Sequence, residues 1–365
     1  MKKQHLFLLS FIIVLFSVSC KKEKPKYDNR SFYLGMTPWP PDFTSKGYDL
    51  AYNFINTNCD MISHHFDDGV PWEESYFHSP MPQKLLDDLN RRKQKTGADK
   101  KILLSVAPLK ISRKERAGAY SGSANAAAWA NKSFSDSTVV NAYVNFINYL
   151  MNELHPDFIN YGVESNSGDW NASDFEEYKK FLSQVHTKLA ALHPGKPFFL
   201  SFMVTPDVKF LNNAKALEPY TDYITLSAYP YTYIGSPVYG SSSPSLIPKG
   251  LFQSYFDINN TKPCAFAETG FIAEDLSITA VNKEGNEQWQ KEYVDYIFDL
   301  CENNRAKFII WFCPYDYTDA VNTFNAIGYS NDLAKLWEHT GLVNESLVER
   351  PACKVWKDWL KLSVQ

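Results

Sequence analysis

The segments DFINYGVESN (residues 157–166) and PCAFAETGF (residues 263–271) decide the fold of this 365-residue chain. Each is a short apolar run of the length expected for a strand that is buried on both faces. Each carries one glutamate near its C-terminal end, Glu164 in the first and Glu268 in the second. A buried carboxylate loses its hydration, so it is expected only where it is paired or used. The two segments therefore predict buried strands of one sheet that present functional carboxylates.

Six further apolar runs have the same character, and amphipathic helical segments separate them. The eight predicted strands lie near residues 32, 61, 101, 157, 197, 223, 263 and 307. Strands that alternate with helices form right-handed βαβ units and a parallel sheet. Eight such units predict an α/β fold of the (β/α)₈ TIM-barrel type, as a single domain over residues 31–365. No Gly-x-Gly-x-x-Gly follows the first strand, which argues against a nucleotide-binding sheet.

The N-terminus has the order of an export signal. A positive start, an apolar run and small residues lead to Cys20, which favours a signal peptide over a transmembrane helix. Residues 17–20 (SVSC) resemble a bacterial lipobox, in which the cysteine is lipidated. An ordinary secretory signal with a chance cysteine is the alternative. Residues 21–30 are polar and aperiodic and predict a flexible tether. We therefore expect residues 1–20 to be a lipoprotein signal peptide and the exported chain to be lipid-anchored to the bacterial cell envelope, at the outer membrane or cell surface.

Composition narrows the class of partner. The formal net charge is −4, with no basic block beyond the signal and tether, so nucleic-acid binding is disfavoured. Aromatic residues make up 15% of the chain, which suits carbohydrate binding, where sugar C–H faces pack on rings. The cysteines after Cys20 match no metal motif, and Cys264 and Cys313 lie in apolar runs typical of buried thiols. We expect a monomer without a cofactor, whose membrane contact is the lipid anchor alone.

Functional side chains of such a barrel gather at the C-terminal ends of the strands. The residues predicted there are Trp39, His65, Asp67, Glu164, Asn166, Tyr229, Glu268 and Trp311. His64, His65 and Asp67 together suggest a metal site, but adjacent residues of a strand point to opposite faces, so both histidines cannot face one ion. We therefore predict no metal. No Lys or Arg falls at a neighbouring predicted strand end, which favours a functional role for the glutamates over a structural ion pair.

Two carboxyl groups across a barrel mouth suit the cleavage of a glycosidic bond. Retaining hydrolysis needs one carboxyl group to protonate the leaving oxygen and one ionised carboxylate to attack the anomeric carbon. The fourth and seventh strands carry Glu164 and Glu268 and lie across the mouth, so their side chains can face each other over a sugar. The expected separation of the carboxyl groups is about 5–5.5 Å.

Three segments resemble a known family. Residues 155–157 (HPD) leading into 162–164 (GVE), residues 228–231 (AYPY) and residues 267–271 (AETGF) are similar to segments of family 53 endo-galactanases and related glucanases. These belong to clan A of the glycoside hydrolases, which are retaining (β/α)₈ barrels. The resemblance implies that Glu164 is the general acid/base and Glu268 the nucleophile. It also implies that Tyr229 hydrogen-bonds the nucleophile and that Trp311 forms part of the floor under the sugar.

One position departs from this pattern. The clan usually has Asn directly before the acid/base, where it binds the sugar 2-hydroxyl, and here that residue is Val163. Asn166 or His65 are the candidates to replace it. Three hypotheses follow from the sequence: a retaining glycoside hydrolase acting on a polysaccharide or oligosaccharide, an inactive barrel that binds glycan at the cell surface, and a barrel hydrolase or lyase of other chemistry.

Overall fold

The computed structural model describes residues 27–236, 239–328 and 332–365. The predicted signal peptide, with Cys20, and residues 21–26 of the predicted tether lie outside these ranges. Within them, no helix combines the length and the apolar character needed to cross a membrane. Export and lipid anchoring therefore stay predictions from the sequence.

Eight parallel strands close into a barrel at the centre of the fold. Each strand pairs with the next along the chain, and the eighth closes on the first, with Phe308 opposite Tyr33. The (β/α)₈ barrel predicted from the sequence is thereby confirmed. The strands are β1 (Tyr33–Met36), β2 (Met61–Phe66), β3 (Lys101–Val106), β4 (Phe158–Gly162), β5 (Phe198–Met203), β6 (Ile224–Ala228), β7 (Cys264–Thr269) and β8 (Phe308–Trp311).

Helices cover the outside of the barrel and the loops above it. Several begin at a side chain that accepts a hydrogen bond from a free N–H of the first turn, as Thr44 does from Gly47 and Asp136 from Thr138. The helices are α1 (Ser45–Asn58), α2 (Trp72–Phe77), α3 (Gln83–Lys95), α4 (Ala126–Ala130), α5 (Ser137–Leu154), α6 (Ala172–Leu192), α7 (Val208–Leu217), α8 (Leu251–Phe256), α9 (Glu287–Asn303), α10 (Thr318–Ala326), α11 (Asp332–Lys335) and α12 (Pro351–Leu360).

The interior of the barrel is filled by side chains rather than by a channel. Its apolar part contains Met61, Leu103, Phe199, Phe308 and Ile310, all fully buried. A larger apolar layer lies between the strands and the helices. Because both faces of each strand are covered, the strands read as apolar runs without alternation.

The long loops after the strands build the mouth of the barrel. The loop between β3 and α5 contains the short helix α4. The loop after β6 contributes Gly240–Ser241 to a small three-stranded sheet with Leu276–Ser277 and Asn282–Glu284 from the loop after β7. All three loops lie on the face where the strands end.

The two ends of the described chain meet on the opposite face. Asn29–Arg30 directly precede β1 and pair in parallel with Ser363–Val364. Arg30 is buried and forms an ion pair with Asp60, just before β2, at 2.6 Å. Residues 29–30 therefore belong to the folded domain, in a two-stranded sheet separate from the barrel, so the tether predicted for residues 21–30 extends too far. The physical reason is that a buried guanidinium with a carboxylate partner holds the segment down.

Five cysteines of the described chain are free and buried, as the apolar settings of Cys264 and Cys313 predict. They are Cys59, Cys264, Cys301, Cys313 and Cys353. Burial raises the pKa of each of these thiols, which keeps them in the unreactive protonated form. Their role is packing.

Candidate active site

Glu164 lies just past the end of β4, on a turn that lifts its side chain into the mouth. The strand ends at Gly162, where a Cβ atom would come within 2.5 Å of Leu200, so glycine permits the close approach of β5. Glu164 itself has φ of +49°, a left-handed conformation that a non-glycine residue rarely adopts. Its backbone N–H donates to Ser201 Oγ at 3.0 Å. Such local strain is typical of functional sites.

The carboxylate of Glu164 is held by two donors. Arg113 Nε donates to Oε2 at 2.8 Å, and Ser227 Oγ donates to Oε1 at 2.6 Å. Arg113 is 6% exposed and Glu164 9%, so this is a buried ion pair. Burial would lower the pKa of Arg113, but Glu164 and Asp67 raise it above its usual value. The sequence shows no Lys or Arg at a neighbouring strand end, but Arg113 reaches Glu164 from the loop after β3, so the argument that Glu164 has no cationic partner does not hold.

Glu268 lies on β7 and receives a hydrogen bond from Tyr229 on its Oε1 atom. This is the contact that the family resemblance implies for Tyr229. Burial raises the pKa of the Glu268 carboxyl, and this effect outweighs the opposing influence of His65 and of the Tyr229 hydroxyl. Burial and the adjacent Glu268 raise the pKa of Tyr229 well above its ordinary value, which keeps its proton available for donation.

Ser227 brings the two glutamates into one site. It lies on β6 directly opposite Glu268 in the strand register, and its hydroxyl reaches across to Glu164. Ser227 is thus paired with Glu268 through the backbone of adjacent strands and is hydrogen-bonded to Glu164 through its side chain. The Coulomb repulsion between the two carboxyl groups contributes to the raised pKa of Glu268.

His65 and Asp67 form a second ion pair beside the glutamates. His65 Nε2 lies 3.4 Å from Asp67 Oδ2, and Asp67 lies 3.9 Å from Arg113 Nη2. Burial alone would lower the pKa of His65, but the Asp67 carboxylate raises it above its ordinary value. Burial alone would raise the pKa of Asp67, whereas His65 and Arg113 bring it well below its ordinary value. Both predicted residues therefore belong to the site.

His64 faces away from this site, as the alternation along a strand predicts. It is fully buried, and its Nε2 lies 3.1 Å from Thr96 Oγ1. That hydroxyl already donates to Arg92 O at 2.7 Å, so His64 Nε2 is the donor between them. Burial lowers the pKa of His64 well below its ordinary value. His64 and His65 thus occupy opposite faces of β2.

An aromatic wall closes the side of the mouth formed by β8 and β1. Its half-buried rings are those of Trp39, Phe312 and Trp337. The centroid of Phe312 lies 5.9 Å from that of Trp39 and 6.1 Å from that of Trp337. Trp337 lies 5.6 Å from Tyr229, which connects the wall to Glu268. The predicted site residue Trp39 is therefore at the mouth.

Trp311 does not form part of this wall, which contradicts the sequence prediction. Its side chain is fully buried, donates from Nε1 to Thr340 O at 2.9 Å and packs against Tyr293 of α9. The reason is strand alternation: Trp311 points outward to the helices, and the next residue, Phe312, points to the mouth. Phe312 is the aromatic side chain that the sequence prediction missed.

Asn166 is likewise a structural residue in this arrangement. It is fully buried, and its Nδ2 donates to Met203 O and Phe210 O, both at 3.0 Å. Its Oδ1 accepts from the Met203 N–H at 2.7 Å. Because its amide is fully engaged in fastening β5 and α7 to the turn after Glu164, Asn166 cannot replace the missing sugar ligand at Val163.

Arg113 and Ser227 are the functional candidates that sequence reasoning missed. Arg113 reaches the site from a tight turn in the loop after β3, where it adopts φ of +57°. No periodicity marks such a position. Ser227 was detectable in principle, because it is a polar residue inside the apolar β6 strand, one position from its end.

One acidic group in the described residues has the spacing of a metal site. Glu274, Asp316 and His339 bring one ligand atom each within 4.8 Å of one another. Arg350 is fully buried among them and donates to Asp316 Oδ1 at 2.6 Å and to Glu274. The guanidinium already supplies the positive charge that these carboxylates need, so the group is an ion-pair network under the loop after β8.

Comparisons with known proteins find this fold among glycoside hydrolases. No protein-family model matches the chain, and no curated protein matches it either. An exo-beta-1,4-mannosidase from Opitutaceae bacterium strain TAV5 superposes with a TM-score of 0.60 at 14% identity, over 92% of this chain and 60% of that one. The chain thus spans less than two thirds of the mannosidase.

Two further solved structures are of similar length to this chain. The GH53 catalytic domain of Ignisphaera aggregans has a TM-score of 0.54 at 17% identity, over 84% of this chain and 86% of that one. GH5_18 from Streptomyces cattleya, in complex with GlcNAc, has a TM-score of 0.60 at 12% identity, over 91% and 80%. The structural neighbours are thus glycoside hydrolases of families 5 and 53. This chain has the closed (β/α)₈-barrel fold that these glycoside hydrolases share.

Proposed function

We propose that this protein is a retaining glycoside hydrolase that acts on a polysaccharide or oligosaccharide. The observation that carries the proposal is the pair of glutamates at the mouth of a closed barrel, Glu164 buried and Glu268 partly buried, each held by its own donors. Glu164 is fixed by Arg113 and Ser227, and Glu268 by Tyr229. Catalytic groups held in one orientation lower the barrier by proximity. The three solved structures compared above are glycoside hydrolases and support the same class.

Glu268 is the nucleophile in this proposal. It must attack the anomeric carbon as a carboxylate, and the Tyr229 hydroxyl that donates to Oε1 stabilises that charge. His65 and Arg113 lower its pKa and so counteract the effect of burial. The aromatic wall that continues from Tyr229 provides an apolar surface for the sugar that stays bound.

Glu164 is the general acid/base. It protonates the leaving oxygen in the first step and activates water in the second. The hydroxyl of Ser227 and the guanidinium of Arg113 fix both of its oxygens, which sets the direction from which the leaving group is approached. The separation of about 5–5.5 Å between the two carboxyl groups remains a prediction of this proposal.

A second candidate, glycan binding without hydrolysis, is favoured by one observation. The Glu164 carboxylate is already engaged by a buried guanidinium, whereas a general acid must offer a proton to the leaving oxygen. Val163, fully buried, stands where the resemblance predicts a polar sugar ligand. A barrel with these two features binds a glycan in its mouth and leaves it intact.

Hydrolysis of a glycan panel separates the two candidates. Wild type, Glu164→Gln and Glu268→Gln are incubated with β-1,4-galactan, β-1,4-mannan and β-1,3-glucan, and released sugars are quantified. The proposal expects release by wild type and a loss of at least a hundredfold in both variants. Glu74→Gln is the matched control, because Glu74 is 4% exposed and accepts the Ala124 N–H outside this site. Binding of a panel member without release would establish the second candidate.

The role of each glutamate has its own test. Azide added to Glu268→Ala is expected to restore turnover of an activated aryl glycoside and to give a glycosyl azide of inverted configuration, because azide enters the space of the missing nucleophile. The same experiment on Glu164→Ala gives retained configuration. Inversion in both variants, or in neither, would contradict the assignment.

We also propose that the protein is exported and lipidated at Cys20. The sequence order of residues 1–20 supports this proposal. Expression in a bacterial host with a radiolabelled fatty acid should label wild type and place it in the membrane fraction, whereas Cys20→Ala should remain unlabelled. Equal labelling of both proteins would refute the assignment.

A further inference from the structure

A short hairpin in the loop after β3 carries Arg113 into the mouth of the barrel. Backbone hydrogen bonds join its two arms, such as that from the Ala117 N–H to Pro108 O at 2.7 Å. We call residues 108–117 the Arg113 hairpin and residues 110–115 its tip. Because its own backbone hydrogen bonds close it, the hairpin is a local unit that can move without breaking a strand of the barrel.

Arg113 is the buried side chain of an otherwise exposed tip. The other five residues of the tip are exposed, and Ile111 is 58% exposed. Arg113 is 6% exposed; its Nε lies 2.8 Å from Glu164 Oε2, and its Nη2 lies 3.9 Å from Asp67 Oδ2. Among the described residues, the hydrogen bonds and ion pairs that join the tip to the barrel are therefore those of Arg113.

In this position the hairpin covers the proposed general acid. Arg113 Nε donates to Glu164 Oε2, Ser227 Oγ donates to Oε1, and the Glu164 side chain is 12% exposed. A leaving oxygen must come within about 2.6–3.2 Å of the carboxyl oxygen that protonates it. Both oxygens thus have a donor at the distance that the leaving oxygen needs. Ser227 is fixed inside β6, whereas Arg113 lies on an exposed tip, so Arg113 is the donor that can withdraw.

The proposed nucleophile is not covered in the same way. Glu268 is partly buried, and the side-chain hydrogen bond to its Oε1 comes from Tyr229, just past β6, rather than from the hairpin. The hairpin therefore covers one of the two carboxyl groups and leaves the other facing the mouth. Such a cover blocks the transfer of a proton to the leaving group without filling the place of the sugar beside Glu268.

We propose that the Arg113 hairpin is an autoinhibitory latch, which closes over Glu164 and which a bound glycan opens. A glycan whose scissile oxygen lies at Glu164 takes the place of the guanidinium, so closure of the latch and productive binding exclude each other. Each then weakens the other by the same factor. Asp67 is the carboxylate that retains the guanidinium when it leaves Glu164. This inference rests on the proposed glycoside hydrolase function and adds the regulation of its site.

Removing the guanidinium should activate the enzyme. Arg113→Met is compared with wild type on β-1,4-galactan, β-1,4-mannan and β-1,3-glucan, at a temperature at which circular dichroism shows the variant to be folded. Because a closed latch reduces the fraction of competent protein, Arg113→Met should raise kcat/KM at least about threefold on the polymer that is cleaved. A lower kcat/KM than that of wild type would overturn the latch, because it would make Arg113 a residue that assists catalysis.

Lys114→Met is the matched control. Lys114 is the exposed neighbour of Arg113 on the tip, so the substitution removes the same charge from the same hairpin. Its kcat/KM should equal that of wild type. An increase as large as that of Arg113→Met would mean that the charge of the hairpin, rather than the contact with Glu164, controls turnover, and it would refute the latch.

Nuclear magnetic resonance of the Arg113 side chain tests the latch without hydrolysis. Arginine labelled with ¹⁵N gives a signal for each Nε–H group, and the signal that Arg113→Met lacks belongs to Arg113. In the Glu268→Gln protein, a saturating polymer of the panel should shift this signal and accelerate its exchange with water at least about tenfold, because the bond to Glu164 is lost.

The two measurements separate failure of the latch from failure of the proposed function. A polymer that moves the Arg113 signal but is never hydrolysed supports the latch, and then only the hydrolase proposal fails. A bound polymer that leaves the signal unchanged overturns the latch even where sugars are released. If neither wild type nor Arg113→Met binds any member of the panel, the latch is also refuted, because its removal should open the mouth.

Discussion

Replacing Arg113 by methionine should destabilise the protein by leaving the Glu164 charge buried. Methionine keeps most of the apolar stem and removes the guanidinium, so the change isolates the charge. In the structure Arg113 supplies one of the two side-chain hydrogen bonds to that carboxylate, at 2.8 Å, and Glu164 is 9% exposed. What remains is the Ser227 hydroxyl, a neutral donor.

The size of the effect follows from the burial of the pair. Removing one partner of a buried ion pair costs about 3–5 kcal/mol, and the remaining Ser227 bond places Arg113→Met near 3 kcal/mol. Glu164→Gln should cost about 1–2 kcal/mol, because glutamine keeps the contact with Ser227 and Asp67 still lies near the guanidinium, at 3.9 Å. In the double variant no buried charge of the pair is left, so its loss should be about 2 kcal/mol smaller than the sum of the single losses.

Urea unfolding at pH 7, followed by tryptophan fluorescence, measures these free energies. Lys101→Met is the control, because Lys101 and Asp157 form an ion pair at 3.1 Å in which both side chains are 37% exposed. Exposed pairs contribute about 0–1 kcal/mol, so the control should change little. A loss below about 1 kcal/mol in Arg113→Met, or additive losses in the double variant, would refute the view that the pair is a buried, coupled unit.

Three further predictions concern the same mouth. Because the folded state raises the pKa of Glu268, its ionised carboxylate destabilises the folded protein at high pH. Glu268→Gln should therefore stabilise the protein at pH 8. This gain in stability should vanish toward about pH 4, where the wild-type carboxyl group is protonated in both the folded and the unfolded state. A gain of equal size at both pH values would contradict this. Asp67→Asn should lower the free energy of unfolding most between about pH 4 and pH 6.5. The depressed pKa of Asp67 stabilises the folded protein at pH values above the ordinary pKa of Asp, and the raised pKa of His65 stabilises it at pH values below the ordinary pKa of His. Urea unfolding from pH 3 to pH 9 measures both effects, and a flat difference would argue against the His65–Asp67 pair. Trp311→Ala should lose about 3–5 kcal/mol of stability, because its side chain is fully buried. Phe312→Ala should lose less stability but weaken glycan binding more than Trp311→Ala does. If unfolding and binding titrations gave the larger stability loss to Phe312→Ala and the larger binding loss to Trp311→Ala, the assignment of the wall would be contradicted.

The barrel could be predicted because strand burial leaves a direct trace in the sequence. Runs such as residues 157–166 are too apolar for a solvent-exposed sheet, and their spacing by helical segments admits few topologies. Glu164 and Glu268 stood out for the same reason, since a charged residue at the end of a buried run is rare without a role. The predicted positions of Tyr229, His65 and Asp67 at strand ends also indicated that they lie at the mouth, whereas the hydrogen bond from Tyr229 to the nucleophile was implied by the family resemblance.

The features that could not be predicted depend on tertiary contacts or on which side of a strand a side chain points to, rather than on composition. All four residues of β8 are buried, so the strand has no polar alternation to show that Trp311 points outward and Phe312 points to the mouth. Arg113 lies 51 residues before its partner Glu164, on an irregular turn with no periodicity. Asn166 looked like a sugar ligand because an amide suits both purposes; only its contacts with Met203 and Phe210 reveal its structural use.

The pairing of Asn29–Arg30 with Ser363–Val364 has a consequence for access. Because this pair of strands precedes β1, both ends of the described chain lie on the face away from Glu164 and Glu268. The paired strands therefore leave the approach to the mouth unobstructed. Immobilisation of the protein through its N-terminus should preserve glycan binding. The same adjacency makes the two ends suitable for joining by a short linker, which would allow the chain to be reopened in a loop remote from the mouth.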